Sequence, residues 1–183
     1  MLAGTGRRRC SAEMVTPVQR PIEVYHVHPV AFWTTVLLSL LLHAILPLKL
    51  PIARLFDFPL LVTIYYGLVR RNLVYGTLLG AGLGLVQDAM AHGFIGFHGM
   101  ANSLAGYLAA AAGVRFDPEQ LLPRTLLTGL LVLIHDLSVM GLQRTLLESP
   151  PPFDPLDVAI SVMVNVALGL VLFQWLDHFK TTT

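Results

Sequence analysis

Residues 73–90 read LVYGTLLGAGLGLVQDAM, a run with no lysine or arginine and a single acid, Asp88. The hydrocarbon core of a bilayer is about 30 Å thick and takes roughly 20 helical residues to cross. Backbone amides in that medium must bond within their own segment, so an apolar run of this length is read as a membrane helix. Gly76, Gly80 and Gly84 recur every fourth residue, with Gly82 beside them. Lipid gives no hydrophobic reward for helix association, so close van der Waals approach must drive it. A stripe of small residues permits that approach.

The same pattern extends in both directions along the chain. Its 183 residues are 55% hydrophobic and only 13% charged, with a mean hydropathy of +0.67. Soluble domains carry about 25% charged residues, so bilayer is the expected solvent. We expect an all-α polytopic transmembrane bundle of about six helices. They run over 30–46 (stopped by Pro47), 58–69, 73–90, 97–114, 119–147 (kinked at Pro123) and 156–175. The second is short, at about 18 Å for twelve residues, and is expected to extend back through 55–57. A basic segment, 1–29, precedes the six-helix domain, 30–177, and a short tail, 178–183, follows it. The first span is read as uncleaved, because no small-x-small site follows it. Residues 1–13 look unlike the rest, which makes Met14 a candidate start.

Basic residues favour the cytoplasmic side. With the N-terminus inside and six spans, Arg7, Arg8, Arg9, Arg20, Arg70, Arg71, Arg115, Arg124 and Lys180 lie inside. Lys49, Arg54 and Arg144 lie outside, so the split is 9 to 3. Both ends are expected in the cytoplasm. A net charge of +1 supplies no general field for nucleic acid. The one cysteine, Cys10, excludes an internal disulfide.

Helix 4 is expected to answer the glycine stripe of helix 3 with Ala101, Ala105, Ala109 and Gly113. The intramembrane polar residues are His43, Asp88, His98, Asn102, His135, Asp136 and Asn165. Charge in hydrocarbon costs at least about 2.5–3.5 kcal/mol, so such groups face protein or water. For Asp88 a structural cap, accepting from the following turn, from His98 or from Asn102, is favoured over a proton or ligand site. Asp136 is read equally as a structural acceptor or as a proton or ligand site. His43 is read as a packed, hydrogen-bonded histidine. Asn102 and Asn165 are expected to bond across helices. Leu85-Val86-Gln87-Asp88 resembles Leu133-Ile134-His135-Asp136, a hint of duplicated helix units.

Catalytic chemistry finds little support. His135, Asp136 and Ser138 are near neighbours on one helix, and their side chains are expected to point to different faces. No zinc-protease signature occurs, and His26 with His28, or His92 with His98, is too sparse for a metal. The glycines lie inside an apolar helix with no Gly-Lys-Ser/Thr after them, which excludes a phosphate loop. No enzyme activity, metal or cofactor is expected, and no repeated charged face suggests a channel.

From Arg70-Arg71-Asn72 onward one order of features stands out. A basic turn precedes a Gly-rich helix that ends in Gly84-Leu85-Val86-Gln87-Asp88. A loop holding Gly93 and Gly96 leads to Phe97-His98-Gly99-Met100-Ala101-Asn102 and Ala105-Gly106-Tyr107-Leu108. Over about residues 58–114 this resembles the MreD family, rod-shape-determining membrane proteins of bacteria. The basic N-terminal extension and the proline-rich loop at 150–155 depart from the family pattern. The resemblance implies an arrangement similar to the six-helix substrate-binding subunits of vitamin transporters. It implies a non-enzymatic scaffold and regulator of cell elongation and peptidoglycan synthesis in the bacterial inner membrane. The partners implied are the MreC scaffold, the MreB filament and the RodA–transpeptidase synthase, alongside membrane lipid. The alternative is a membrane substrate-binding subunit of a small-molecule transporter, for which Asp88, His92, His98 and Asn102 would line an outward-opening pocket.

Overall fold

A computed structural model describes residues 26–27, 29–91, 96–116, 120–149, 152, 154–178 and 180–181. The readings made above for Cys10, Met14, Arg7 to Arg9, Arg20, His28, His92, Gly93, Pro150 and Pro151 lie outside the described residues. Six α-helices follow one another: α1 Pro29–Lys49, α2 Phe58–Arg70, α3 Leu73–Met90, α4 Phe97–Arg115, α5 Leu121–Leu146 and α6 Pro155–Asp177. Short connections make consecutive helices antiparallel. His26–Val27 pairs with Lys180–Thr181, so the two ends of the described chain lie side by side.

Five segments are long and apolar enough to cross a membrane: Pro29–Lys49, Ile52–Arg70, Leu73–Met90, Leu121–Leu146 and Pro155–Asp177. The chain is therefore all-helical with membrane-spanning character. Its surface has the matching polarity. Leu37, Leu41, Leu126, Met163 and Val171 all project outward, while Asp88, Asn102, His135 and Asn165 are buried. Water-soluble proteins rarely expose so much contiguous apolar area.

The sixth helix, α4, is less apolar because its surroundings are largely protein. Nine of its residues are buried, from Phe97 through Gly113, and eight of them are Gly, Ala or Asn. A helix enclosed by other helices needs small side chains rather than lipophilic ones.

Several expected boundaries shift. Pro47 does not stop α1, which continues to Lys49. Proline keeps a helical φ, although it loses the bond to the carbonyl four residues back and its ring crowds that carbonyl; the helix end is closed beyond it by Leu50 N–H donating to Leu46 O at 2.9 Å. Pro123 does not kink α5. The helix begins at Leu121, so this proline sits in the first turn, where its amide has no intrahelical acceptor to lose. The reach missing from α2 comes from a 3-10 segment, Pro51–Leu55, set before it.

That short helix is the axis of the bundle. Every residue of α2 from Pro59 to Val69 is buried, and Leu60, Val62, Ile64, Tyr65 and Tyr66 anchor the main hydrophobic cluster. Asp57 caps it, its Oδ1 accepting from Leu60 N–H at 3.1 Å, and Pro59 follows in the first turn. Arg71 closes the other end in the left-handed conformation, at φ 52°.

The glycine stripe of α3 packs on α4 as expected. A Cβ at Gly76 would strike the carbonyl of Gly106, one at Gly80 that of Asn102, and one at Gly84 that of His98. The answering stripe differs from the expected one. Facing α3 are His98, Gly99, Asn102, Gly106 and Ala110. Ala109 and Gly113 turn instead to α2: a Cβ on Gly67 would come within 2.9 Å of Ala109 Cβ, and one on Gly113 would meet the Leu68 carbonyl. Ala101 and Ala105 are fully enclosed. A helix wedged between two others carries a small-residue stripe for each.

Candidate functional site

At the end of the bundle opposite the paired termini, all six helices contribute to one polar cluster. The break between the 3-10 segment and α2 leaves backbone groups without intrahelical partners, and burial makes that costly. Asn165, from the middle of α6 and fully buried, satisfies both sides of the break. Its Oδ1 accepts from Asp57 N–H at 2.8 Å, and its Nδ2 donates to Leu55 O at 2.7 Å. The expected cross-helix bond is thus made to backbone.

Gln87 stands at the centre of the cluster. Its Nε2 donates to Asp57 Oδ1 at 3.1 Å and lies 3.2 Å from His43 Nε2. Its Oε1 accepts from Asn102 Nδ2 at 3.1 Å. Helices α1, α2, α3 and α4 are joined through this one amide.

Asp88 acts as the clasp between α3 and α4. Its Oδ1 accepts from His98 N–H at 3.1 Å and from His98 Nδ1 at 2.8 Å. Its Oδ2 accepts from Gly96 N–H at 2.8 Å and Gly99 N–H at 3.0 Å. These amides are the unpaired donors at the start of α4, where the helix dipole also favours an anion. Gly96 takes φ 116° to bring its N–H round, a conformation that side-chain-bearing residues avoid. The expected cap is present, with more donors than a simple turn provides.

On α5, His135 is 97% buried, with 3% of its side chain exposed, and its Nδ1 lies 3.1 Å from Asp136 Oδ1. Those adjacent side chains do meet, contrary to the expectation that they diverge. Asp136 is held in turn from α6, its Oδ2 accepting from Ser161 Oγ at 2.9 Å. Ser138 stays apart, its hydroxyl donating to Ile134 O at 2.6 Å, so the three do not align. His135 Nε2 stands 3.7 Å from Asp57 Oδ2, and its ring centroid is 5.9 Å from that of His98. The two look-alike segments, 85–88 and 133–136, thereby converge on one carboxylate: Gln87 approaches Asp57 from one side and His135 from the other.

Between these groups lies a cavity of about 190 Å³, lined by His43, Arg54, Asp57, Gln87, His98, His135, Asp136, Gln143 and Ser161 among others. Among the described residues no group of three or more His, Cys, Asp or Glu is arranged to hold a metal ion. Asn102 and Asp88, which the transporter alternative would place at an outward pocket, are bonded in helix joints.

The sequence reading missed Asp57, Gln87 and Ser161. Asp57 before Phe58-Pro59 is a helix-start signal, and it was available. It also missed an ion pair at the opposite end of the bundle. Arg124, counted above only among the basic residues of the inner side, is buried, with Nη1 2.7 Å from Asp177 Oδ2. Its guanidinium lies 4.6 Å from the Phe173 ring centre, and Tyr65 Oη donates to Asp177 Oδ1 at 3.2 Å. The chain matches no family model, no curated protein and no solved structure.

Proposed function

We propose that this chain is a non-enzymatic scaffold and regulator of the bacterial cell-elongation machinery, resident in the inner membrane with both termini cytoplasmic. One observation carries the reading. The segment that bears the MreD resemblance, from Gly84-Leu85-Val86-Gln87-Asp88 to Asn102, is spent on joining helices. Asp88 clasps α4, Gln87 ties four helices, and the glycines seat one backbone on another. Such a core holds an outer surface in fixed shape, which suits a protein whose work is to position partners. By resemblance those partners are the MreC scaffold and, through it, the MreB filament and the RodA–transpeptidase synthase. The pairing of His26–Val27 with Lys180–Thr181 fits both ends on one side.

Affinity capture of the full-length chain from native membranes tests this. Co-recovery of MreC is the expected result. Recovery of an ATPase pair with a coupling subunit, and no MreC, would overturn it. A reporter after Lys180 is expected to be active only in its cytoplasmic form.

A second reading, a membrane substrate-binding subunit, is favoured by the cavity, since a convergent set of polar groups within an apolar body is how small-molecule sites are built. The same capture experiment separates the two.

A further inference from the structure

A second hollow, of about 500 Å³, opens on the outside of the bundle between α4 and α5. Leu108, Leu127, Leu130 and Ile134 form its walls, and Ala111 leaves room between them. Tyr107 and Arg115 both line it, so it follows α4 for about 12 Å. One end lies where α4 stops and α3 starts, marked by Arg115, Phe116 and Leu73.

The charge at that end is one-sided. Leu73 follows the Arg70-Arg71 turn directly after Asn72. A Cβ at Gly113 would meet the Leu68 carbonyl, so the last turns of α2 and α4 are neighbours. Arg70, Arg71 and Arg115 therefore share one end of the bundle. Among the described residues no carboxylate pairs with any of them, whereas Arg124 is neutralised by Asp177. The end stays basic even when Asp117 and Glu119 of the following turn are counted against these arginines.

Size and charge together select the occupant. An aliphatic hollow does not hold ordered water, which needs polar partners. A membrane helix does not fit inside it: about 10 Å across, it would take roughly 900 Å³ over the same length. An acyl chain is thin enough. A lipid whose chain lies between α4 and α5 sets its headgroup at the helix ends, beside Arg115. A zwitterionic headgroup carries its own cation, and an anionic one must take it from the protein. Basic pockets between membrane helices recognise anionic headgroups on this principle.

We propose that this groove is a binding site for one anionic phospholipid, with an acyl chain between α4 and α5 and the phosphate against the Arg115 guanidinium. The site is separate from the polar cavity and holds under either functional reading.

Native mass spectrometry of the full-length chain tests it, after delipidation in detergent and titration with dioleoyl phosphatidylglycerol or dioleoyl phosphatidylcholine. The expected result is one phosphatidylglycerol retained per chain, at least about tenfold more tightly than phosphatidylcholine. Arg115 is exposed, so Arg115→Gln should fold normally. It should lower the preference about fivefold, the share of one basic residue at an anionic lipid surface. Ala111→Phe fills the groove and should abolish retention; should that variant fail to fold, Arg115→Gln decides. Glycerol 1-phosphate, a headgroup without chains, should not be retained. Equal retention of the two lipids overturns the proposal, as does an unchanged preference in Arg115→Gln or retained lipid in a folded Ala111 variant. Retention of glycerol 1-phosphate would overturn it in favour of a free phosphate site. A dimer that Ala111→Phe converts to monomer would overturn it in favour of a second copy in the groove. These outcomes are independent of which proteins are captured from the membrane.

Discussion

The α3–α4 seam and the α5–α6 seam join helices of similar length by opposite means. Along the first, glycine meets backbone: Gly76, Gly80 and Gly84 each leave room only for a carbonyl of α4. Along the second, glycine meets side chains: a Cβ on Gly129 would find Val166 Cγ2 at 3.3 Å, and one on Gly169 would find Thr128 Cγ2 at 3.3 Å, with Leu61 Cδ2 of α2 beside it at 3.2 Å. The polar links differ as well. Asp88 binds backbone amides of α4, whereas α5 and α6 are tied by side-chain pairs, Asp136 with Ser161 and Arg124 with Asp177. A backbone cannot step aside and a side chain can. The first seam should be brittle and the second forgiving.

The largest effect is expected at Gly80. A leucine there would drive its side chain into the backbone of Asn102 and Ser103. Overpacking in a core typically costs about 1–3 kcal/mol, and a backbone collision should exceed that range. Gly80→Leu is therefore expected to abolish the monodisperse folded form in detergent, read by size-exclusion chromatography. A variant with wild-type abundance and thermal stability would show that the seam has slack.

Asn165→Leu comes next. It strands the Asp57 amide and the Leu55 carbonyl inside the bundle, at about 1–3 kcal/mol for each buried group left unpaired. The expected outcome is a clear drop in the thermal midpoint, with the folded helical signal retained at low temperature. Asp177→Asn should follow closely. It leaves the Arg124 charge buried against Phe173, but Asp177 is about one-third exposed. Its cost should fall below the roughly 3–5 kcal/mol of a fully buried broken pair.

Asp88→Asn sharpens the comparison at its polar link. Four donors converge on the two carboxylate oxygens. An amide offers one oxygen to them and turns its NH₂ toward the other two. The substitution should cost about 1–3 kcal/mol, more than an ordinary cap replacement. Unchanged thermal stability would mean that α4 starts without this clasp.

How far these features can be read from sequence depends on what fixes them. The limits of α3 are local: Asn72 caps it, its Oδ1 accepting from Tyr75 N–H at 3.0 Å, and Arg70 with Arg71 closes the helix before it. They fall where the polarity pattern puts them. The faces of α4 are not local. Small residues recur every fourth position both at 101, 105, 109 and 113 and at 102, 106 and 110, and spacing cannot choose which stripe meets which neighbour. That choice depends on α2 taking the centre, which its shortness concealed. Within the candidate site, Asp88, His135 and Asp136 stood out because charge is rare in spans. Gln87 and Ser161 did not, because an uncharged polar residue carries no such signal until its partners are known. The burial of Arg124 was not legible for a related reason: near a helix end a basic residue usually reaches water, and only tertiary packing against Phe173 and Asp177 shows that it does not.

The smallest effect decides most. Gly80→Ala and Gly129→Ala are the same chemical change, each in a helix, and each gains about 1 kcal/mol of intrinsic helix propensity. At Gly80 the new methyl would lie on a carbonyl oxygen of α4, and the gain should be overwhelmed. At Gly129 it would press on a half-buried valine methyl at 3.3 Å, which can yield by a small shift of α6. Gly129→Ala should therefore leave the thermal midpoint unchanged or raise it slightly, while Gly80→Ala lowers it. A common sign for the two would mean that both seams respond to volume alone, and that the distinction between backbone and side-chain contact has no energetic consequence.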